Sequence, residues 1–179
     1  MKKIILIISL IAIGIGYAGV LDYYGKIVGT VNVQGPIFYA DSNNRGGVYY
    51  KMKINEVGSG TVNLQDGNRV LFVTDSLGIT SWYSAKWIVK IKIHSPSTGK
   101  LSAVKIKKVS QDLLTESDIC EWKDMQLNEG YNLIQKECTL DQISFNSTDR
   151  LGLEITGAGT LNYTIYTDGS TGIEVTKVS

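Results

Sequence analysis

The chain has one histidine, two prolines and two cysteines in 179 residues, and each scarcity removes a class of chemistry. A lone imidazole, His94, cannot build a histidine-rich zinc site. Nucleophilic catalysis by serine or cysteine would have to find its base in that same residue. No serine sits in a G-x-S-x-G elbow, the turn that presents a hydrolase nucleophile. Lys and Arg total 18 against 17 Asp and Glu, so no broad basic field is present to hold nucleic acid or an anionic membrane surface. Two carboxylates suffice for a glycosidase, but nothing in the pattern singles out a pair.

One stretch imitates a cofactor site. Gly14-Ile-Gly16-Tyr-Ala-Gly19 satisfies G-x-G-x-x-G, a fingerprint that works only where a strand precedes the glycines and a helix N-terminus comes after them. The residues beyond Gly19 are rich in β-branched side chains, Ile27, Val28, Thr30, Val31 and Val33, broken by Gly25 and Gly29 and ended by Pro36, which disfavours a helix. The sequence calls for no cofactor. Lys2 and Lys3, the apolar run from Ile4 to Ile13 and the small residues Gly16 and Ala18 read instead as a signal peptide over residues 1–18, cleaved after Ala18. No charge separates Lys3 from Asp22, so retention as an uncleaved membrane anchor is the alternative. Either way the rest of the chain is expected outside the cytoplasm.

The remaining length suits one domain with its own core. Residues 34–179 are dense in Val, Ile, Thr and Tyr and punctuated by glycine, which predicts an all-β fold, an antiparallel β-sandwich or jelly roll of about ten strands. Asp66-Gly67 predicts a hairpin turn between residues 60–65 and 68–74. A second hairpin is expected across residues 86–110, its first strand alternating inward Trp87, Val89, Ile91 and Ile93 with outward Ile88, Lys90, Lys92 and His94. Leu151, Leu153 and Ile155, then Leu161, Tyr163 and Ile165, then Ile173 and Val175 mark three further strands, with Asp168-Gly169 turning between the last two. Residues 110–117 look briefly helical but are too short to stand as a helix without tertiary support. Asp41-Ser-Asn43-Asn44 spaces oxygen ligands like part of a calcium loop, but a solvated turn fits better.

Cys120 and Cys138, an even pair in a chain read as exported, predict a disulfide. The sequons at Asn146 and Asn162 are candidate glycosylation sites; if Leu161 and Tyr163 point inward, Asn162 points to solvent. Trp82 and Tyr83 lie in a polar stretch and are the candidate platform for stacking on a ligand, with burial at the rim of a core as the competing reading.

Tyr17-Ala18, Leu21-Asp22 and the strand opening Gly29-Thr-Val-Asn-Val33 together resemble the TasA/camelysin group of exported fibre proteins and the similar archaeal bundling-pilus subunits. The chain differs at Leu21, where that group usually has phenylalanine, and at Asn32, where it often has aspartate. The resemblance implies a jelly roll that polymerises by giving an N-terminal strand, here Val20–Val28, to the sheet of the next subunit. Independently, Leu21, Tyr23, Tyr24, Ile27 and Val28 are too apolar for a solvated tail, so residues 19–33 are expected to add to a sheet edge, in the same subunit or a neighbour's. With Val20, they form the expected assembly segment.

These readings converge on a non-enzymatic, secreted or cell-surface structural protein, a subunit of a filament, pilus, biofilm matrix or surface layer. Its expected partners are copies of itself or other surface proteins, with glycans in second place. No nucleic acid is expected, and a membrane only through an uncleaved leader. The alternative is an adhesin or carbohydrate-binding β-sandwich module; a hydrolase has the least support.

Overall fold

The structure, a computed structural model, describes residues 34–65, 67–78 and 80–177. The expected leader and the assembly segment with Val20, Leu21, Tyr23, Tyr24, Ile27 and Val28 lie outside the described residues, as does the stretch that carries the family resemblance.

Eleven strands succeed one another: β1 (Gln34–Gly46), β2 (Tyr49–Ile54), β3 (Thr61–Leu64), β4 (Arg69–Val73), β5 (Thr80–Ser95), β6 (Gly99–Val109), β7 (Glu116–Leu127), β8 (Gly130–Phe145), β9 (Arg150–Ala158), β10 (Tyr163–Tyr166) and β11 (Gly172–Lys177). All eleven belong to a single sheet, ordered β3-β10-β5-β11-β1-β2-β4-β9-β6-β7, with β8 also paired to β5. The all-β expectation holds. The purely antiparallel one does not, because β2 and β4 run parallel, Tyr49 opposite Leu71 and Lys51 opposite Val73.

The predicted alternation of β5 is present in full, with Trp87, Val89, Ile91 and Ile93 buried between outward neighbours. They share one core with Val70 and Phe72 of β4, Leu101, Val104 and Ile106 of β6, and Leu151, Leu153 and Ile155 of β9. A single sheet whose distant strands meet in one core must curl over itself, yet it does not close into a barrel. The end strands β7 and β8 make no ladder; the Cys120–Cys138 disulfide joins them instead. That bond is the predicted one.

Both expected hairpins are corrected. The turn at 65–68 forms, with the Asn68 amide donating to the Gln65 carbonyl at 3.1 Å and Gly67 at φ 59°, but its flanks part: β3 pairs with β10, and β4 with β2 and β9. Likewise β5 and β6 do not pair with each other. β5 takes β8 along its whole length and β6 takes β7 and β9. Turn chemistry fixes where the chain reverses, whereas the partner is chosen by which apolar faces must meet. β10 and β11 lie end to end along β5 rather than side by side, with the Asp168–Ser170 turn between them. Gly172 lets β11 approach β1 on its other side, since a Cβ there would sit 2.2 Å from the Phe38 carbonyl oxygen.

No helix forms at 110–117. The Ser110 hydroxyl accepts from the Thr115 amide at 2.9 Å and the Asp112 carboxylate from the Leu114 amide at 3.1 Å, side-chain bonds that compete with a helical ladder. Asp41 is no solvated turn either. It is fully buried in β1, with Oδ2 3.0 Å from Lys53 Nζ and Oδ1 accepting from the Asn43 amide at 2.9 Å. Burial pushes its carboxyl up, but the Asn43 amide and the Lys53 ammonium outweigh it and hold the group below its usual range. Among the described residues no cluster of three metal-ligating side chains occurs.

Candidate functional site

The registers of four adjacent strands bring together residues that the sequence scatters. His94 of β5 lies opposite Tyr131 of β8 and Thr164 of β10, and Thr164 lies opposite Asn63 of β3. Two residues along, Lys92 lies opposite Leu133, and Tyr166 opposite Thr61. Each of these side chains alternates with buried or inward neighbours on its strand, so all eight belong to one outward face. Successive rows are Tyr131–His94–Thr164–Asn63 and Leu133–Lys92–Tyr166–Thr61.

Its centre is aromatic. The rings of His94 and Tyr131 meet edge to face at 5.2 Å, those of Tyr131 and Tyr166 at 5.6 Å, and Lys92 Nζ stands 5.1 Å above the Tyr166 ring. Tyr131 is 67% exposed and Leu133 81%. Large apolar side chains kept in water on β8, beside the rings of β5 and β10, make the kind of patch that marks an interaction site. The Tyr166 hydroxyl donates to the Tyr131 hydroxyl at 3.5 Å, which raises the Tyr166 pKa because its proton is engaged. Asp168 sits 3.4 Å from Lys92 Nζ. Its carboxyl is held below the usual range, first by the Ser170 hydroxyl and then by Lys92, so the ammonium stands paired beside the platform rather than as a lone charge.

The sequence candidates fall elsewhere. Trp82 is half-buried on β5, with its ring edge to face against Trp87 at 5.3 Å, Phe145 at 5.5 Å and Phe38 at 6.5 Å. Tyr83 is exposed on the same strand but beside Ser84, whose φ of 45° accompanies a change of face: Trp82 points inward before it, and Ala85 and Trp87 after it. Asn146 and Asn162 are both exposed. Cys120 and Cys138 are bonded and bridge the sheet ends. Sequence reasoning missed Tyr131, Tyr166 and the role of His94. The outward half of each strand's alternation could have named them singly, but not their meeting.

On the outer face of β4, β9, β6 and β7 the charges cluster. Arg69 Nη1 donates to Glu116 at 2.7 Å and to Glu154 at 2.6 Å, and Lys107 Nζ donates to Glu116 at 2.9 Å and lies 3.3 Å from Glu154. Burial pushes the Glu116 carboxyl up, but Arg69 and Lys107 prevail and hold it below its usual value. A general acid needs the opposite shift, so Glu116 is not poised as one, and its bonds with Arg69 and Lys107 tie β7 to β4 and β6. Lys105 extends the network to Asp118 at 2.7 Å and Glu121 at 3.1 Å.

No family model and no curated protein matches the chain. Solved structures do. A CocE/NonD family hydrolase from Staphylococcus aureus is similar at a TM-score of 0.59 and 10% identity, over 83% of this chain and 37% of that one. An aminopeptidase from a marine sediment archaeon, Thaumarchaeota archaeon, is similar at 0.54 and 9%, over 80% and 36%. An α-amino acid ester hydrolase is similar at 0.53 and 9%, over 82% and 36%. This chain thus spans little more than a third of each.

Two expectations are corrected by these likenesses. Excluding catalysis outright does not stand, because chains named as hydrolases and as an aminopeptidase carry this fold. Assignment to a secreted filament, pilus or biofilm matrix does not stand either: the same sheet is built as one portion of longer enzyme chains, so richness in strands is no sign of polymerisation. By fold, this chain is similar to a portion of chains named as hydrolases.

Proposed function

We propose that this protein is a binding module, an adhesin or carbohydrate-binding β-sandwich of jelly-roll type, acting in an oxidising compartment. The observation that carries the reading is the open aromatic platform of Tyr131, His94 and Tyr166 on a rigid sheet face. Aromatic rings give a ligand large contact area at little cost in conformational freedom, and their polar tips add hydrogen bonds. A balanced local charge favours a neutral partner over nucleic acid, which needs a basic groove beside its stacking platform. The jelly-roll description is supported by β5 and β8 sharing one core with β6 and β9 while joined to them by tight turns rather than ladders. The disulfide supports the compartment, since such bonds persist where thiols are not kept reduced.

A glycan array probed with the full chain tests the reading. Selective binding that is lost in Tyr131→Ala and in Tyr166→Ala, with both variants melting like the parent, is the expected result. Binding that survives both substitutions, or no selective ligand at all, overturns it.

A further inference from the structure

The parting of β3 from β4 leaves a groove. It measures about 640 Å³ and runs between the edge strand β3, the start of β4 and the β1–β2 end, with Asn44, Tyr50, Asn63, Gln65, Asn68 and Arg69 in its walls. That size lies within the range of small-molecule sites. β3 pairs with β10 on one side and, among the described residues, with no strand on the other.

The wall chemistry is specific. The side-chain amides of Asn63, Gln65 and Asn68 are exposed and make no hydrogen bond among the described residues, and each offers both donors and an acceptor. Arg69 has no charge to spare, since Nη1 is engaged by Glu116 and Glu154 and Nη2 by Glu116 at 2.9 Å. Tyr50 is fixed against Phe72, ring centres 5.8 Å apart, and gives the groove one apolar wall. Unspent amides, a neutralised cation and a rigid aromatic wall match a neutral ligand dense in hydroxyl groups. They do not match an anion, which would need a free cation, or a peptide strand, for which the short strand β3 gives too little ladder.

We infer that this groove is a saccharide subsite, in which the amides of Asn63, Gln65 and Asn68 read the hydroxyl groups of a neutral oligosaccharide that also crosses the aromatic platform. Asn63 and Thr61 end the platform's two rows and line the groove, so the two surfaces are continuous. From Tyr131 to Asn63 is three strand spacings, ~14 Å, so a short sugar fills the platform and only a longer one enters the groove. The inference rests on the binding reading above, and the two separate experimentally.

Calorimetric titration of the full chain with neutral glucose-, mannose-, galactose- and xylose-based oligosaccharides of two to six units is the test. The structure expects affinity to rise with chain length. Gln65→Ala/Asn68→Ala should weaken the longest chains by roughly ten-fold, the equivalent of one lost hydrogen-bond pair, and leave the shortest unchanged, whereas Tyr131→Ala should weaken all of them. Length dependence untouched by Gln65→Ala/Asn68→Ala overturns the groove and leaves the platform. Loss on Gln65→Ala/Asn68→Ala with none on Tyr131→Ala keeps the groove as a site and overturns the platform. No binding by any sugar overturns both, and a change of oligomeric state in Gln65→Ala/Asn68→Ala without sugar binding overturns the groove in favour of a protein occupant.

Discussion

Two outward faces of one sheet are built from the same alternation and end in opposite states. At the centre of the face over β4, β9, β6 and the start of β7 the outward residues are sealed: Glu154 and Lys107 are 6% and 9% exposed within a mesh of ion pairs, and Leu71, Val73 and Val109 pack beside them under Tyr49 and Leu113. Over β8, β5, β10 and β3 the outward residues include Tyr131 and Leu133, which stay in water. The sealed face uses its polar groups on itself and so contributes stability. The open face leaves contact surface unspent, which is what recognition requires. Substitutions should therefore divide cleanly, stability falling on one face and binding on the other.

The largest break is expected at the centre of the sealed face. Arg69→Met leaves two nearly buried carboxylates to share Lys107, and should destabilise by about 3 kcal/mol in urea unfolding. A loss below half of that would mean the network is solvated, and the contrast between faces would fail. Next comes the staple between the sheet ends. Cys120→Ser/Cys138→Ser releases a link across 18 residues of separation and should also cost about 3 kcal/mol by the loop-entropy argument, seen as a lower midpoint with the far-ultraviolet dichroism of a sheet retained.

Acid should open the same face. Glu116 has a folded pKa below its ordinary value of 4.5, so in that range the unfolded chain binds more protons and stability rises with pH. The contribution is complete above about pH 5 and is lost as pH falls through the folded pKa. Melting temperature measured from pH 6 down to pH 3 should drop, and less steeply in Glu116→Gln. A slope unchanged by that substitution would remove the network from the acid response.

Gly152→Ala sharpens the comparison more gently. A Cβ there would meet Leu71 Cδ1 and Val109 Cγ2, both at 3.1 Å, and should cost about 1 kcal/mol through overpacking. The smallest stability effect belongs to the open face, where Tyr131→Ala should stay within about 0.5 kcal/mol of the parent while abolishing any ligand binding.

Strand faces were legible from local pattern. Trp87, Val89, Ile91 and Ile93 could be placed inside, and Asn162 outside, because side chains alternate with period two whatever the strand pairs with. The disulfide was legible for a similar reason, since two cysteines have one pairing to make. The site was not. His94, Tyr131, Tyr166 and Asn63 come from four strands widely spaced along the chain, and no window of sequence contains their register. Trp82 took the competing reading, burial at the rim of the core, where the face change at Ser84 reverses the alternation within one strand, a backbone event that side-chain spacing does not announce.

By itself, then, the sequence determined that this protein is strands and turns and which residues lie inward along regular stretches such as Trp87 to Ile93, because those choices depend on neighbours a few positions away, and it determined the cross-link because two cysteines have one pairing to make. Only the tertiary structure decided which strands lie side by side: that the turn at Gly67 reverses the chain without making a hairpin, that β2 and β4 run parallel, and that three aromatic rings share one open face. Partner choice minimises exposed apolar surface over the whole sheet at once, a global condition that the local pattern permits in many ways and satisfies in one.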